Sequence, residues 1–310
     1  MIFDLALFGA GFVLLLSGAE VLVRTTSAAA ATLRMPPLLA GVLLVGFGTS
    51  LPELAVGVDA ALVGAGDVAV GSVIGSNLCN TGLVLGLAAF LRPLPLAKRL
   101  LRWELPILAV VSGVVALFLG NSELSRGEAV LLLGLLAAYL LGALRAAGSG
   151  SHEGGTPPRR MPRSRARLAG SAAVGFAGLA LGAKWLVEGA TLVARDLGVS
   201  EATIAISLVA LGTSLPELAT TLAATRHRAS EIVAGNIIGS NLFNTMAILG
   251  LSALTYPLRT LDIRAWEVAA FVAAPLAVAI LAWGGRLGRP AGLALLLGYA
   301  AAIAVLAHGS

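Results

Sequence analysis

Two seven-residue stretches, Gly48–Leu54 and Gly212–Leu218, both spell GTSLPEL inside apolar segments. Each joins a carboxylate, two hydroxyls and a proline. Proline in a helix interior deletes one backbone hydrogen bond and clashes with the preceding turn. In lipid the carbonyls it frees need other partners unless they line a polar cavity. Pro52 and Pro216 are therefore expected to break or kink their helices near mid-membrane. Thr49, Ser50 and Glu53 would then surround exposed carbonyl oxygens, as would Thr213, Ser214 and Glu217. Every one of these groups offers oxygen, which suits hard cations such as Ca²⁺ and Na⁺. His152, His227 and His308 fall in loops or at the terminus, which argues against zinc, copper or iron.

A second motif follows each of the first, IGSNLCN at 74–80 and IGSNLFN at 238–244. Ser76 and Asn80, and likewise Ser240 and Asn244, are four residues apart and share a helix face. Gly71 with Gly75, and Gly235 with Gly239, form small-xxx-small patterns that permit close helix approach. The expected site is four helices converging at the bilayer midplane, ringed by two carboxylates, hydroxyls and amide oxygens. A carboxylate at that depth costs about 2.5–3.5 kcal/mol on insertion scales. Two of them balance one Ca²⁺. The alternative is that Glu53 and Glu217 are protonated structural hydrogen-bonders, which leaves the duplicated proline and hydroxyls unexplained.

The elements that must position these groups can be read from hydropathy. Of the 310 residues 58% are hydrophobic and only 12% charged, and the mean hydropathy is +0.93. Soluble domains carry about 25% charge. Several apolar runs exceed the roughly 17–25 residues that cross a bilayer as a helix. Continuous runs, without ten-residue alternation, select helices over a barrel. The chain reads as an all-α polytopic membrane protein of ten segments, near 3–23, 36–63, 68–91, 104–120, 127–145, 168–188, 201–224, 231–254, 266–284 and 290–307. A Gly-, Pro-, Ser- and Arg-rich stretch reads as a solvated linker at 146–167. It divides a first five-helix repeat, 1–145, from a second, 168–310.

Adding 164 to a residue number maps Gly48–Leu54 onto Gly212–Leu218, and the same offset maps Ile74–Leu78 onto Ile238–Leu242. One gapless offset over both blocks identifies an internal repeat. An odd number of helices per repeat makes the second enter the membrane from the opposite side, so the repeats are expected to be inverted. Sixteen of the 21 Lys and Arg residues fall in the odd-numbered connections and the adjoining linker. By the positive-inside rule those connections are cytoplasmic and both termini lie outside. The net charge of +5 is thus a topology signal and not a sign of nucleic-acid binding. The first segment lacks a basic n-region and carries Asp4, so it reads as a retained helix. The single cysteine, Cys79, excludes an intrachain disulfide and reads as a small packing residue.

Some charges have blander readings. Glu20 with Arg24 and Lys184 with Glu188 are i,i+4 pairs, related by the offset with their signs reversed. They read as local pairs near helix ends or as groups that tune a moving helix. Asp67 and Glu231 correspond, and are expected to favour helix N-termini. Inverted repeats with broken helices favour an alternating-access carrier over a passive channel. An intramembrane enzyme would need a base beside Ser50 or Ser214, and the segments contain no His.

GTSLPEL with GSNLCN, repeated as GTSLPEL with GSNLFN, resembles the two α-repeats of the cation/calcium exchanger superfamily. It is most similar to the prokaryotic sodium/calcium antiporters, over essentially the whole chain. The resemblance implies a calcium site from the carboxylates of Glu53 and Glu217 and the carbonyls of Thr49 and Thr213. It implies sodium sites from Ser50, Ser76, Ser214 and Ser240, the same glutamates, and carbonyls near Gly46 and Ala210. Asn80 and Asn244 would complete the ring. Members usually exchange three Na⁺ for one Ca²⁺ by alternating access, with helices one and six sliding across the rest. Some members, including potassium-dependent ones, carry Asp where this chain has Asn244, which argues against potassium co-transport. The implied protein is an antiporter in the cell inner (plasma) membrane and not an enzyme. Its partners are Ca²⁺, Na⁺ and the lipid bilayer, with no cofactor, no nucleic acid and no obligate protein partner. A Ca²⁺/H⁺ antiporter in the same fold is the alternative, with Glu53 and Glu217 carrying protons.

Overall fold

In hydrocarbon every backbone group must be satisfied within its own segment, so apolar runs of this length close into helices. The structure, a computed structural model, describes residues 2–148, 164–197 and 212–308. It is mostly helical. Among the described residues, seven helices are long and apolar enough to cross a membrane. A further pair, Pro37–Thr49 and Leu51–Leu62, is bent by 45° at its break, and Ala265–Leu281 is a shorter apolar helix.

In chain order the helices are α1 (Ile2–Leu33), α2 (Pro37–Thr49), α3 (Leu51–Leu62), α4 (Gly66–Leu91), α5 (Leu100–Asn121), α6 (Arg126–Gly148), α7 (Arg165–Asp196), α8 (Leu215–Arg226), α9 (Ser230–Thr255), α10 (Ala265–Leu281) and α11 (Arg289–His308). Four of them contain π-helical stretches: Gly41–Gly46, Cys79–Leu85, Leu100–Glu104 and Asn244–Ile248. The N-terminal part of the expected seventh segment, together with Ala210, lies outside the described residues.

Several expected boundaries move. The first helix runs to Leu33, well beyond 23, because the Ala-rich stretch after Arg24 is a strong helix former. Ser27 and Thr32 bond back to the carbonyls of Val23 and Ala28, at 3.0 and 2.8 Å, so these hydroxyls need no water. Likewise α7 begins at Arg165, inside the expected linker, with Ser164 accepting the Arg167 N–H at 3.2 Å as an N-cap. It ends at Asp196 and not near 188. Hydropathy marks where a helix leaves lipid, not where it stops.

Four two-residue strands tie the connections together. Leu94–Pro95 (β1) pairs with Arg286–Leu287 (β4), and Glu123–Leu124 (β2) with Leu258–Arg259 (β3), both antiparallel. One pairing therefore joins the turns before α5 and α11. The other joins the turns before α6 and α10. Glu231 at the start of α9 accepts the N–H of Leu38 at 3.3 Å, and Asp67 accepts that of Asp262 at 2.9 Å. These two acids therefore cap neighbouring segments, where capping of their own helices was expected.

The most extensive helix pair is α1 with α7. Its seam is lined by glycine. A Cβ at Gly18 or Gly182 would overlap the backbone of Leu179 or Leu15, so the two axes approach more closely than any larger residue allows. Gly235 and Gly239 likewise press on the α2 backbone at Leu38 and Val42. Gly71 meets only the side-chain tip of Ile263, and Gly75 meets nothing. The close contact expected of those two glycines is absent among the described residues. Their repeat mates press on Leu38 and Val42, whose own counterparts, Ala202 and Ile206, are not among them.

Replacing Gly182 by Leu should lower the stability of the purified protein by about 1–3 kcal/mol through overpacking. The same change at Gly170, which has open space around it, should leave thermal unfolding unchanged.

Candidate functional site

Each GTSLPEL folds the same way. Ser50 has φ −86° and ψ 9°, and Ser214 has φ −88° and ψ 3°, so both stand at a helix break. Pro52 and Pro216 enter the first turn of α3 and α8, where the missing N–H would have been unpaired anyway. The break therefore lies one residue before each Leu-Pro, and the prolines start new helices. Ser-x-x-Glu is the sequence of a capping box, yet neither serine side chain caps its helix. Ser50 Oγ instead donates to Glu217 Oε1 across the repeat boundary, at 3.2 Å.

The glutamates are deeply buried, Glu53 at 4% exposure and Glu217 at 0%. Each stands in the first turn of its helix, where the positive dipole end favours a carboxylate. Across the break, α2 ends at its negative dipole pole, where the carbonyls of Val45 and Gly46 accept from the Thr49 hydroxyl. The two carboxylates are close enough to feel each other's charge. Glu217 is ringed by the hydroxyls of Thr49, Ser50 and Ser240, with Ser240 Oγ at 3.4 Å. Ser240 also donates to the Gly46 carbonyl at 3.0 Å, and Thr49 lies 3.4 Å from Ser240. Thr49, Ser50, Ser240, Gly46 and Glu217 thus form one cluster.

Asn80 and Asn244 are held by a second, symmetric network. Asn80 Nδ2 donates to Asn241 Oδ1 at 3.1 Å, and Asn244 Nδ2 donates to Asn77 Oδ1 at 3.0 Å. Asn77 and Asn241 in turn donate to Thr245 and Thr81, both at 2.9 Å. This ladder commits the amide nitrogens of Asn80 and Asn244 and leaves their oxygens over. The outcome is chemically specific. Glu53 Oε2, Glu217 Oε2, Asn80 Oδ1 and Asn244 Oδ1 are all buried and meet no donor. Buried polar atoms without partners are rare and costly. Here four of one kind, all acceptors, occur as two pairs related by the repeat. Among the described residues no group of three or more His, Cys, Asp and Glu gathers to hold a metal. The oxygen set is two carboxylates plus neutral donors.

The remaining expected residues are placed as follows. Ser76 and Ser214 are buried, on α4 and at the start of α8. Thr213 is half-buried in the turn before Ser214. Ala210 is not among the described residues. Sequence reasoning overlooked Asn77 and Asn241, although both recur at the repeat offset within GSNL. It also overlooked Asn236, whose Nδ2 donates to the Glu217 carbonyl at 3.2 Å and to Thr220 and Thr221 at 3.0 and 2.9 Å. Cys79 is a buried core residue, as expected. Glu20 is not merely paired with Arg24 at 2.7 Å. It also contacts His227 Nε2 at 2.6 Å, linking α1 to the residue after α8.

Comparison with known proteins places this geometry among relatives. A family model described as "Sodium/calcium exchanger protein" matches residues 3–145 and 168–307. The chain is 35% identical to the inner membrane protein YrbG of Escherichia coli, covering 99% of this chain and 97% of that one. It is 31% identical to the sodium/calcium exchanger MaX1 of Methanosarcina acetivorans, covering 96% of each. Its structure superposes on that of the sodium-calcium exchanger NCX_Mj, soaked with Na⁺ and Ca²⁺, with a TM-score of 0.86. The two are 30% identical, and the match covers 99% of each chain.

Replacing Asn241 by Ala strands the amide of Asn80 and the hydroxyl of Thr81. The change should lower stability by about 1–3 kcal/mol. Thermal unfolding of the Asn77→Ala, Asn241→Ala and double variants should show the two changes to be non-additive.

Proposed function

The chain belongs to the sodium/calcium exchanger protein family, and we propose that it is an antiporter moving Ca²⁺ against Na⁺ through the site between Glu53 and Glu217. As a family member it is a membrane transporter and not an enzyme. The single observation that carries the site assignment is the set of four buried acceptor oxygens without donors. A dehydrated cation supplies the positive charge they lack. With both glutamates ionised, their charge of −2 matches one Ca²⁺, and hydroxyl and amide oxygens fill the remaining coordination. Thr49, Ser50, Ser240 and the Gly46 carbonyl form a neighbouring oxygen cluster suited to Na⁺. Ser76, Ser214, Thr213 and Ala210 supply the corresponding positions from the other repeat.

Competition between the two cations for the shared glutamates couples their movement. Sodium entering the hydroxyl cluster draws on Glu217 and weakens the hold on Ca²⁺. The chain is read as ten crossings in two inverted five-helix repeats, with the linker and odd-numbered connections in the cytoplasm and both termini outside. What supports that sidedness is the basic bias, and what supports the alternation of crossings is that one strand pair joins two odd-numbered connections and the other two even-numbered ones. Alternating access then follows from sliding α1 and α7, whose glycine seam makes them one body, across the broken helices. The membrane is the cell inner membrane, as the name of the E. coli relative suggests. Exchange of three Na⁺ for one Ca²⁺ moves one net charge, worth about 2.3 kcal/mol per 100 mV.

The test is ⁴⁵Ca²⁺ uptake into proteoliposomes loaded with Na⁺. Uptake should follow the outward sodium gradient and ignore a pH gradient of equal size; the reverse result assigns proton coupling. Glu53→Gln and Glu217→Gln should each reduce the rate by more than about 100-fold, as expected when one member of a buried charged set is removed.

A further inference from the structure

A cavity of about 610 Å³ opens away from the glutamates, lined by Arg92, Arg226 and Arg289 together with Leu91, Pro93 and Leu222. Three helices build it. Arg92 follows the last residue of α4, Arg226 closes α8, and Arg289 opens α11. All three arginines belong to odd-numbered connections. Among the described residues none of their side chains has a hydrogen bond or ion pair, whereas those of Arg24, Arg99 and Arg259 each meet a glutamate. No carboxylate lines the cavity. Three guanidinium groups around one opening repel one another, and each presents a planar fork that matches phosphate oxygens.

The repeat supplies an internal control. At the 164 offset Arg92, Arg226 and Arg289 correspond to Tyr256, Leu62 and Ser125. The one cation beside those positions, Arg126, is committed to the carbonyls of Leu254 and Thr255, both at 3.2 Å, so the equivalent turns carry a single engaged arginine where this cavity carries three with unengaged side chains. The walls are also two-natured. Leu91 is 52% exposed and Pro93 is exposed beside it, so apolar surface flanks the guanidinium groups at the helix ends. A soluble anion has no use for that surface, but a glycerolipid has. Basic pockets between transmembrane helices on the cytoplasmic side are suited to lipid headgroups.

We propose that this cavity seats the phosphate headgroup of an anionic phospholipid, with the glycerol and upper acyl chain along Leu91, Pro93 and Leu222. The leaflet assigned to it rests on the sidedness proposed above; headgroup binding does not. Occupation bridges α4, α8 and α11 and fastens the far end of the helix whose first turn carries Glu217.

The experiment is thermal unfolding of the purified full chain in neutral detergent, titrated with short-chain phosphatidylglycerol, phosphatidylcholine or inorganic phosphate. Phosphatidylglycerol should raise the midpoint saturably, and the other two should not. The triple variant R92Q/R226Q/R289Q should raise the half-saturating lipid concentration by at least about tenfold, since each charged hydrogen bond contributes a few kcal/mol at most. Stabilisation by added Ca²⁺ should be unchanged in that variant, which separates this site from the glutamate site. The double variant R102Q/R145Q, with exposed arginines on the same face but outside the cavity, should keep the lipid response. If the triple variant does not purify folded, R289Q alone should weaken the lipid response about threefold. An equal shift with inorganic phosphate would reassign the cavity to a free anion. An unchanged lipid response in the triple variant would overturn the proposal. Equal loss in the R102Q/R145Q control would do the same, by showing general surface charge to be responsible.

Discussion

A buried acceptor oxygen without a donor is costly, and two glutamates and two asparagines related by the internal repeat carry such oxygens here. Glu53, Glu217, Asn80 and Asn244 each direct a buried oxygen with no donor in reach. A fold that only needed to be stable would not keep such a set, because each orphan costs about 1–3 kcal/mol or more. The rest of the architecture can be understood as what holds these oxygens in place against that penalty. The helix breaks at Ser50 and Ser214 aim positive dipole ends at the carboxylates. The asparagine ladder between α4 and α9 engages the amide nitrogens of Asn80 and Asn244 elsewhere and leaves their oxygens without donors.

The ladder also explains why the two repeats had to meet. Asn77 donates to Thr245 and Asn241 donates to Thr81, so each half completes the other's hydrogen bonds. Neither half of the chain could bury its own asparagines alone without leaving these bonds unmade. The repeats are nevertheless not equivalent. Asn236, with Thr220 and Thr221, braces the carbonyl of Glu217, while the matching positions Ser72, Val56 and Gly57 offer no such brace. Ser72 simply bonds back to its own helix at Ala69. The first turn of α8 is therefore braced where that of α3 is not.

Much of this was legible in the chain. The duplicated GTSLPEL marked the helix starts after Ser50 and Ser214, and the shared offset picked out two glutamates and two asparagines that the structure buries. Proline was read correctly as a sign of a break but for an incomplete reason, since it starts the second half-helix and does not disrupt the first. The π-helical stretches beginning at Cys79 and Asn244 were not legible, because no residue type marks a π turn; it arises where side chains from neighbouring helices compete for backbone groups. Asn77 and Asn241 were passed over although each lies three residues before Asn80 or Asn244, on the same side of its helix. They gain meaning only when α4 and α9 cross. The true ends of α1 and α7 escaped a hydropathy reading because alanine and back-bonded serine extend a helix without extending its apolar length.

The two small strand pairs have a mechanical consequence. They act as belts, one at each end of the bundle, and between them they bind the turns that lead into α5, α6, α10 and α11. Neither belt passes around α1 or α7. Those two long helices grip each other along a seam of glycine, while α1 meets the end of α8 through the Glu20–His227 contact. A displacement of the pair would leave both hoops fastened, so the turns into α5, α6, α10 and α11 can stay tied while α1 and α7 travel.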